Sequence, residues 1–162
     1  AVSDARWFEV DADFGSAVRH FRQSMALFQM GGFTSPGLQG YQASMALMHA
    51  RQSAHTSLEA GLLRILEMLG EERPVGEDWH SALIWRAAAD FPGRPAILSG
   101  PVAKAADETR RFRHRATHNY DSFRIAEISR TLQAAEVLVA ELPGQLTAFR
   151  TAIEPTPDWI GA

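Results

Sequence analysis

From Ile125 to Phe149 the apolar residues fall at Ile125, Ile128, Leu132, Ala135, Val139, Leu142, Leu146 and Phe149, steps of three and four without a gap. That spacing lines one face of an α-helix, whereas a half-buried strand needs alternation at every second residue. The same rhythm returns at Phe14, Val18, Phe21, Met25 and Phe28, and again at Leu58, Leu62, Ile65, Leu66 and Leu69. No stretch alternates for long, and neither an internal repeat nor a low-complexity segment interrupts the pattern. Helices with one apolar face and no sheet to cover must bury those faces against one another. The expected fold is therefore all-α, an up-and-down bundle of about five helices.

Helix signals divide the chain. Asp13 is expected to cap the first helix and Gly31-Gly32 to stop it. Ser35-Pro36 reads as a cap and first helical position for a long helix to about Leu69, ended by Gly70. Asp78 is expected to cap a short helix from Trp79 to Phe91, closed by Pro92-Gly93. Another helix follows from about Pro101 to Thr117, with Val102, Ala105, Thr109, Phe112 and Ala116 on its buried stripe. Pro143 removes a backbone donor inside the last helix, so a kink or break is expected there, with packing continuing beyond it. Residues 1–12 read as an apolar-acidic lead-in, with Trp7 and Phe8 packing on the body. With the tail 154–162, which holds Pro155 and Pro157, they form the loosely held ends of a single domain spanning residues 1–162. The methionines at 25, 30, 45, 48 and 68 read as core filler.

Composition narrows the class further. Apolar content of 46% and charged content of 22% are those of a soluble globular chain. No apolar run reaches the roughly 20 residues that span a bilayer. Nothing near the start combines a basic stretch, an apolar run and a small-residue cleavage site, so no signal peptide is expected. The absence of cysteine excludes disulfides and thiolate zinc sites, and a cytoplasmic setting is the simplest expectation.

Against a net charge of −3, four of the fifteen arginines (Arg110, Arg111, Arg113 and Arg115) crowd around His114 and His118. Guanidinium presents paired donors to phosphate oxygens, so the cluster reads as a local cationic patch for a phosphate-bearing partner. Arg113 and His118 stand five residues apart, roughly 140° round a helix at about 100° per residue. They diverge if the helix simply continues. Convergence requires the helix to end near Thr117, with Asn119, Asp121 and Ser122 supplying turn and cap chemistry, or a second subunit, and both are expected.

Arg113-x4-His118-x-Tyr120, with polar His114 directly after the arginine, resembles the Arg-x4-His-x-Tyr signature of HEPN-superfamily ribonuclease toxins of the HepT type. Trp79-His80-x-x-Leu83, Arg94-Pro95-x-Ile97-Leu98-Ser99 and the run Arg110 to Arg115 are similar to that family's flanking words. The likeness covers roughly the last two thirds of the chain as ordered words, and the first third as helical pattern. It implies a metal-independent endoribonuclease toxin of a toxin–antitoxin pair, acting without a cofactor. Its composite site would lie across a two-fold homodimer interface, with Arg113 and His118 catalytic and RNA the substrate. It also implies a minimal nucleotidyltransferase as antitoxin and Tyr120 as the residue modified by AMP transfer.

Such chemistry needs a group to deprotonate the 2′-hydroxyl, a group to protonate the leaving oxygen, and positive charge on the phosphorane-like transition state. Histidine suits the first two and arginine the third. One chain offers one His118, so two subunits would supply base and acid together. The plainer reading makes Arg113 and His118 a solvated helix end, with cations favoured by the helix dipole. His114 is read as an RNA contact, a support of the dimer site or a surface polar residue. Arg110, Arg111 and Arg115 are read as solvated charges or phosphate-steering groups. Tyr120 is equally an ordinary half-buried residue at a helix junction. His80 is read as structural, and His49 and His55 as lacking a carboxylate partner at ligand spacing, so no metal site is expected. Neither Arg113 nor His118 belongs to the apolar stripe, so alanine at either is expected to leave the fold intact. The alternative to the enzyme is a catalytically inactive HEPN domain that binds nucleotide or a nucleotidyltransferase partner. A ligand-free helical scaffold is a third class.

Overall fold

The computed structural model describes the backbone of residues 4–118 and 125–154, with side chains at positions 5–115 and 127–154. Five helices follow in order: α1 (Asp4–Met30), α2 (Leu38–Met68), α3 (Trp79–Ala87), α4 (Gly100–His118) and α5 (Ile125–Ile153). Cross-helix contacts fix their directions. Ser16 meets Ser57 while Asp13 meets Arg64, so α1 and α2 run antiparallel. His55 meets Thr109 and Arg51 lies over Phe112, which sets α4 against α2. Ser99 meets Gln145 and Arg115 meets Glu127, which sets α5 against α4. The four long helices thus alternate up and down, and α3 packs against α2 and α4. The fold is an all-α helical bundle.

The apolar stripes meet as their spacing requires. Phe14, Val18 and Phe21 of α1, Leu58, Leu62, Ile65 and Leu66 of α2, and Ala135, Leu142, Leu146 and Phe149 of α5 are buried in one core. Val102, Ala105, Thr109 and Phe112 of α4 are buried as well. A smaller cluster of Leu47, Met48, Phe112 and Ile128 closes the bundle beyond it. Of the methionines, Met48 is buried and Met25, Met45 and Met68 pack at the edges, but Met30 is exposed and fills no core.

Several boundaries differ from expectation, each for a physical reason. The lead-in is helix from Asp4, because Trp7 and Val10 extend the stripe of Phe14 backwards by steps of three and four. Asp13 therefore lies inside α1, paired with Arg64, and is not a cap. Trp7 is 1% exposed, whereas Phe8 is 75% exposed and belongs to neither core cluster. Trp7 Nε1 donates to Glu154 Oε2 at 3.1 Å, which ties this part of α1 to the residue after α5. The tail 155–162 lies outside the described residues. Helix α2 starts at Leu38 after Gly37 at φ 69°, so Ser35-Pro36 belongs to the turn before it. Helix α3 stops at Ala87, whose carbonyl accepts the amides of Ile97 and Leu98 at 2.7 and 3.0 Å. Helix α5 continues through Pro143 as one element, its buried face unbroken from Leu138 to Phe149.

Gly61 shows how closely α1 and α2 approach. A Cβ there would fall 2.6 Å from Cε2 of Phe14. Gly61→Ala is expected to cost about 1–3 kcal/mol through overpacking. Urea denaturation measures it, and Phe14→Leu in the same chain should recover part of the loss.

Candidate functional site

On α2, Arg51, His55 and Glu59 recur at steps of four on the face turned to α4, and all three are buried. The Glu59 side chain is 6% exposed, and three side chains converge on it. His55 Nε2 lies 2.8 Å from Glu59 Oε1, and His80 Nδ1 of α3 lies 2.7 Å from the same oxygen. Arg113 of α4 reaches Oε2 through Nη1 and Oε1 through Nη2, both at 3.3 Å. Arg113 also donates to Thr56 Oγ1 at 3.3 Å, and its Nη2 is 3.0 Å from His80 Nδ1. Three helices are thus tied together by one carboxylate.

Proton accounting fixes the ring states. Burial pushes the Glu59 carboxyl up, but the His55 bond, the Arg113 charge and the His80 bond outweigh it and hold the group below its usual range. An ionised Glu59 only accepts, so each nitrogen facing it must carry hydrogen. His55 is therefore protonated on Nε2, and His80 on Nδ1. Burial depresses the His55 imidazole more than the Glu59 bond raises it, so that ring is neutral. Its Nδ1 then accepts the hydroxyl of Thr109 at 2.8 Å. With the His80 proton committed to Glu59, Arg113 and His80 are neighbouring donors to one carboxylate, not partners of each other.

Beside this network lies a polar cavity of about 350 Å³, lined by Glu77, Asp78, His80, Ser81, Arg110, Arg113 and His114. Asp78 occupies the N-cap position of α3 but makes no capping bond through its side chain. Positions 110, 114 and 118 form one row of α4, four residues apart, so His114 stands one turn, about 6 Å, from position 118. Helix α4 runs to His118, which keeps positions 113 and 118 on different faces. The side chain of His118 and the whole of Tyr120 lie outside the described residues.

The expected cationic patch is largely compensated. Arg110 and Arg111 share Asp107 at 2.7 and 2.9 Å, and Arg115 meets Glu127 at 3.3 Å. Arg115 and Glu127 are both exposed, and a pair of this kind contributes about 0–1 kcal/mol, so a phosphate competes for Arg115 at little cost. Arg110, Arg111 and Arg113 differ, because their carboxylate partners, Asp107 and Glu59, are buried. Arg51 differs again: its three guanidinium nitrogens have no hydrogen-bond partner among the described residues, and burial lowers its pKa to about 10. The ring of Phe112, 5.0 Å away, is what faces that charge.

These contacts correct one expectation. His55 does have a carboxylate partner at helical spacing, Glu59, four residues on. His80, read as structural, ties α3 to Glu59 and also lines the cavity. Arg113→Ala is expected to remain folded but to be less stable, since it leaves Glu59 without its guanidinium. Arg94, in a flanking word of the motif, is structural: it pairs with Glu71 and donates to the carbonyls of Arg86, Ala89 and Pro95.

The family model of the HepT-like proteins matches residues 46–153. That span covers most of α2, including Arg51, His55 and Glu59, and then α3, α4 and α5. The chain belongs to the HepT-like protein family. No curated protein and no solved structure matches it. Among the described residues of this HepT-like protein, no helix is long and apolar enough to cross a membrane.

The site residues missed in the sequence were Glu59, His55 and Arg51. Their signal was polar side chains at steps of four inside the face that carries Leu58 and Leu62. The same network predicts acid sensitivity. His55 and Glu59 both have folded pKa values below their ordinary ones of 6.5 and 4.5. As pH falls, the unfolded chain binds the proton first, so stability present above pH 6.5 is lost below it, with a second loss below 4.5. Thermal melts from pH 8 to 4 should show both limbs, and His55→Gln should flatten the upper one.

Proposed function

We propose that this HepT-like protein is a metal-independent endoribonuclease toxin of the cytoplasm, held in check by a minimal nucleotidyltransferase antitoxin. The observation that carries the reading is Arg113: a family-motif arginine fixed by buried Glu59 in the wall of a polar cavity, beside two imidazoles. A guanidinium so placed binds a phosphodiester and stabilises the charge that grows on its oxygens. Arg110 and His114 line the same cavity and contact the RNA backbone, and Arg115 lies one turn nearer the helix end. His118 transfers a proton. Because positions 113 and 118 occupy different faces of α4, the reading includes a homodimer whose second copy completes the site.

Tyr120 follows His118 by two residues, so AMP attached to its hydroxyl would bring phosphates to the groups that receive RNA. Modification and substrate then compete for one cationic site. No cofactor enters this scheme.

The test is product chemistry. RNA treated with the purified dimer in chelator should yield 2′,3′-cyclic phosphate and 5′-hydroxyl ends. Intact RNA, with nucleotide or nucleotidyltransferase still bound, would establish the inactive HEPN reading in its place.

A further inference from the structure

The nuclease reading borrows its second imidazole from another subunit. The chain already holds one beside Arg113. The His80 Nδ1–H is spoken for by Glu59 at 2.7 Å, on the buried side of the ring. The side chain is nevertheless 32% exposed and lines the cavity with Arg110, Arg113 and His114. Its Nε2 has no hydrogen-bond partner among the described residues. A carboxylate that fixes the Nδ1 proton leaves a lone pair on Nε2 and stabilises the imidazolium formed when that lone pair is protonated. The ring is also set mechanically: it stacks on Trp79 with centroids 3.6 Å apart.

We propose that His80 is the general base of this HepT-like protein, with Glu59 as its positioning residue; the assignment rests on the nuclease reading above. His80 Nε2 takes the proton of the ribose 2′-hydroxyl, and the 2′ oxygen attacks phosphorus. The P–O5′ bond breaks, a 2′,3′-cyclic phosphate forms, and the departing O5′ receives a proton from His118. The Arg113 guanidinium, held on Glu59, sets its charge beside the phosphorane oxygens. One chain then contributes the base, the electrostatic clamp and the cavity. The charged and titratable groups facing His80 are Glu59 and His55 from α2, Arg110, Arg113 and His114 from α4, and Asp78 and Glu77 before α3.

The test compares RNA with uridine 3′-(4-nitrophenyl phosphate), whose leaving group departs without a proton. His80→Asn keeps an amide N–H where Nδ1–H meets Glu59 and removes Nε2, so the fold should survive, as circular dichroism will check. It should slow both substrates about 10²–10⁴-fold. His118→Ala should slow RNA comparably but recover on the activated ester. Glu59→Gln should lower kcat with KM nearly unchanged, and lower it less in a His80→Asn background, where only its hold on Arg113 remains to be lost. In the wild type, ¹⁵N shifts should place the His80 proton on Nδ1. Full-rate cleavage by His80→Asn, with His118→Ala still impaired, would overturn the proposal and leave the nuclease reading standing. Recovery of His80→Asn on the activated ester would make His80 the acid and overturn the assignment, as would a proton on Nε2. A wild type inert on both substrates would overturn the nuclease reading and this proposal together.

Discussion

Arg113→Ala should slow RNA cleavage by about 10²–10³-fold, the range for losing one fixed donor to a developing oxyanion. It should also lower stability, which a residue serving substrate alone would not do. The Arg113 side chain is 20% exposed and its partner Glu59 6%, so removing the guanidinium strands a nearly sealed carboxylate. The imidazoles of His55 and His80 remain as donors, which limits the loss. Arg113→Lys separates the two effects. Lysine keeps the charge near Glu59, so much of the stability returns. It lacks the planar fork, so the rate should stay low. Single-turnover cleavage and guanidinium denaturation on the three proteins read both quantities. A lysine variant as fast as wild type would mean that charge alone, not paired donation, is what Arg113 supplies.

Glu59→Ala should be among the most damaging single changes to the fold. It removes the acceptor for His55, His80 and Arg113 at once and leaves buried donors on three helices. Breaking a buried ion pair from one side costs about 3–5 kcal/mol. The double variant with Arg113→Ala should cost less than the sum, with a coupling of about 0.5–3 kcal/mol, because the second change relieves what the first left unpaired. Additivity within experimental error would contradict the network. Glu59→Gln keeps the volume and one accepting oxygen, and should lose less.

Much of the bundle was legible because its stripes are long. The α5 run from Ile128 to Phe149 specified a helix strongly enough to carry it through Pro143, where local chemistry argued for a break. Asp13 misled in the opposite way: it has cap chemistry, but Trp7 and Val10 continue the stripe before it. The motif segment was legible as words, while the charge state of its arginines was only half so. Asp107 stands three and four residues before Arg110 and Arg111, a pairing visible from helical spacing. Glu59 lies more than fifty positions from Arg113, and its contact exists only once α2 and α4 pack. His80 was hidden for the same reason. Its neighbour Trp79 marked it as structural, and only the arrival of α2 and α4 beside α3 turned one ring nitrogen toward Glu59 and the ring toward the cavity.

The measurement that bears most directly on function is the RNA cleavage rate of the purified protein in chelator, wild type beside His118→Ala. The wild type should cleave without added metal, and His118→Ala should be slower by about 10²–10⁴-fold while melting as the wild type does. Equal rates for the two proteins, or cleavage that vanishes in chelator, would contradict the account.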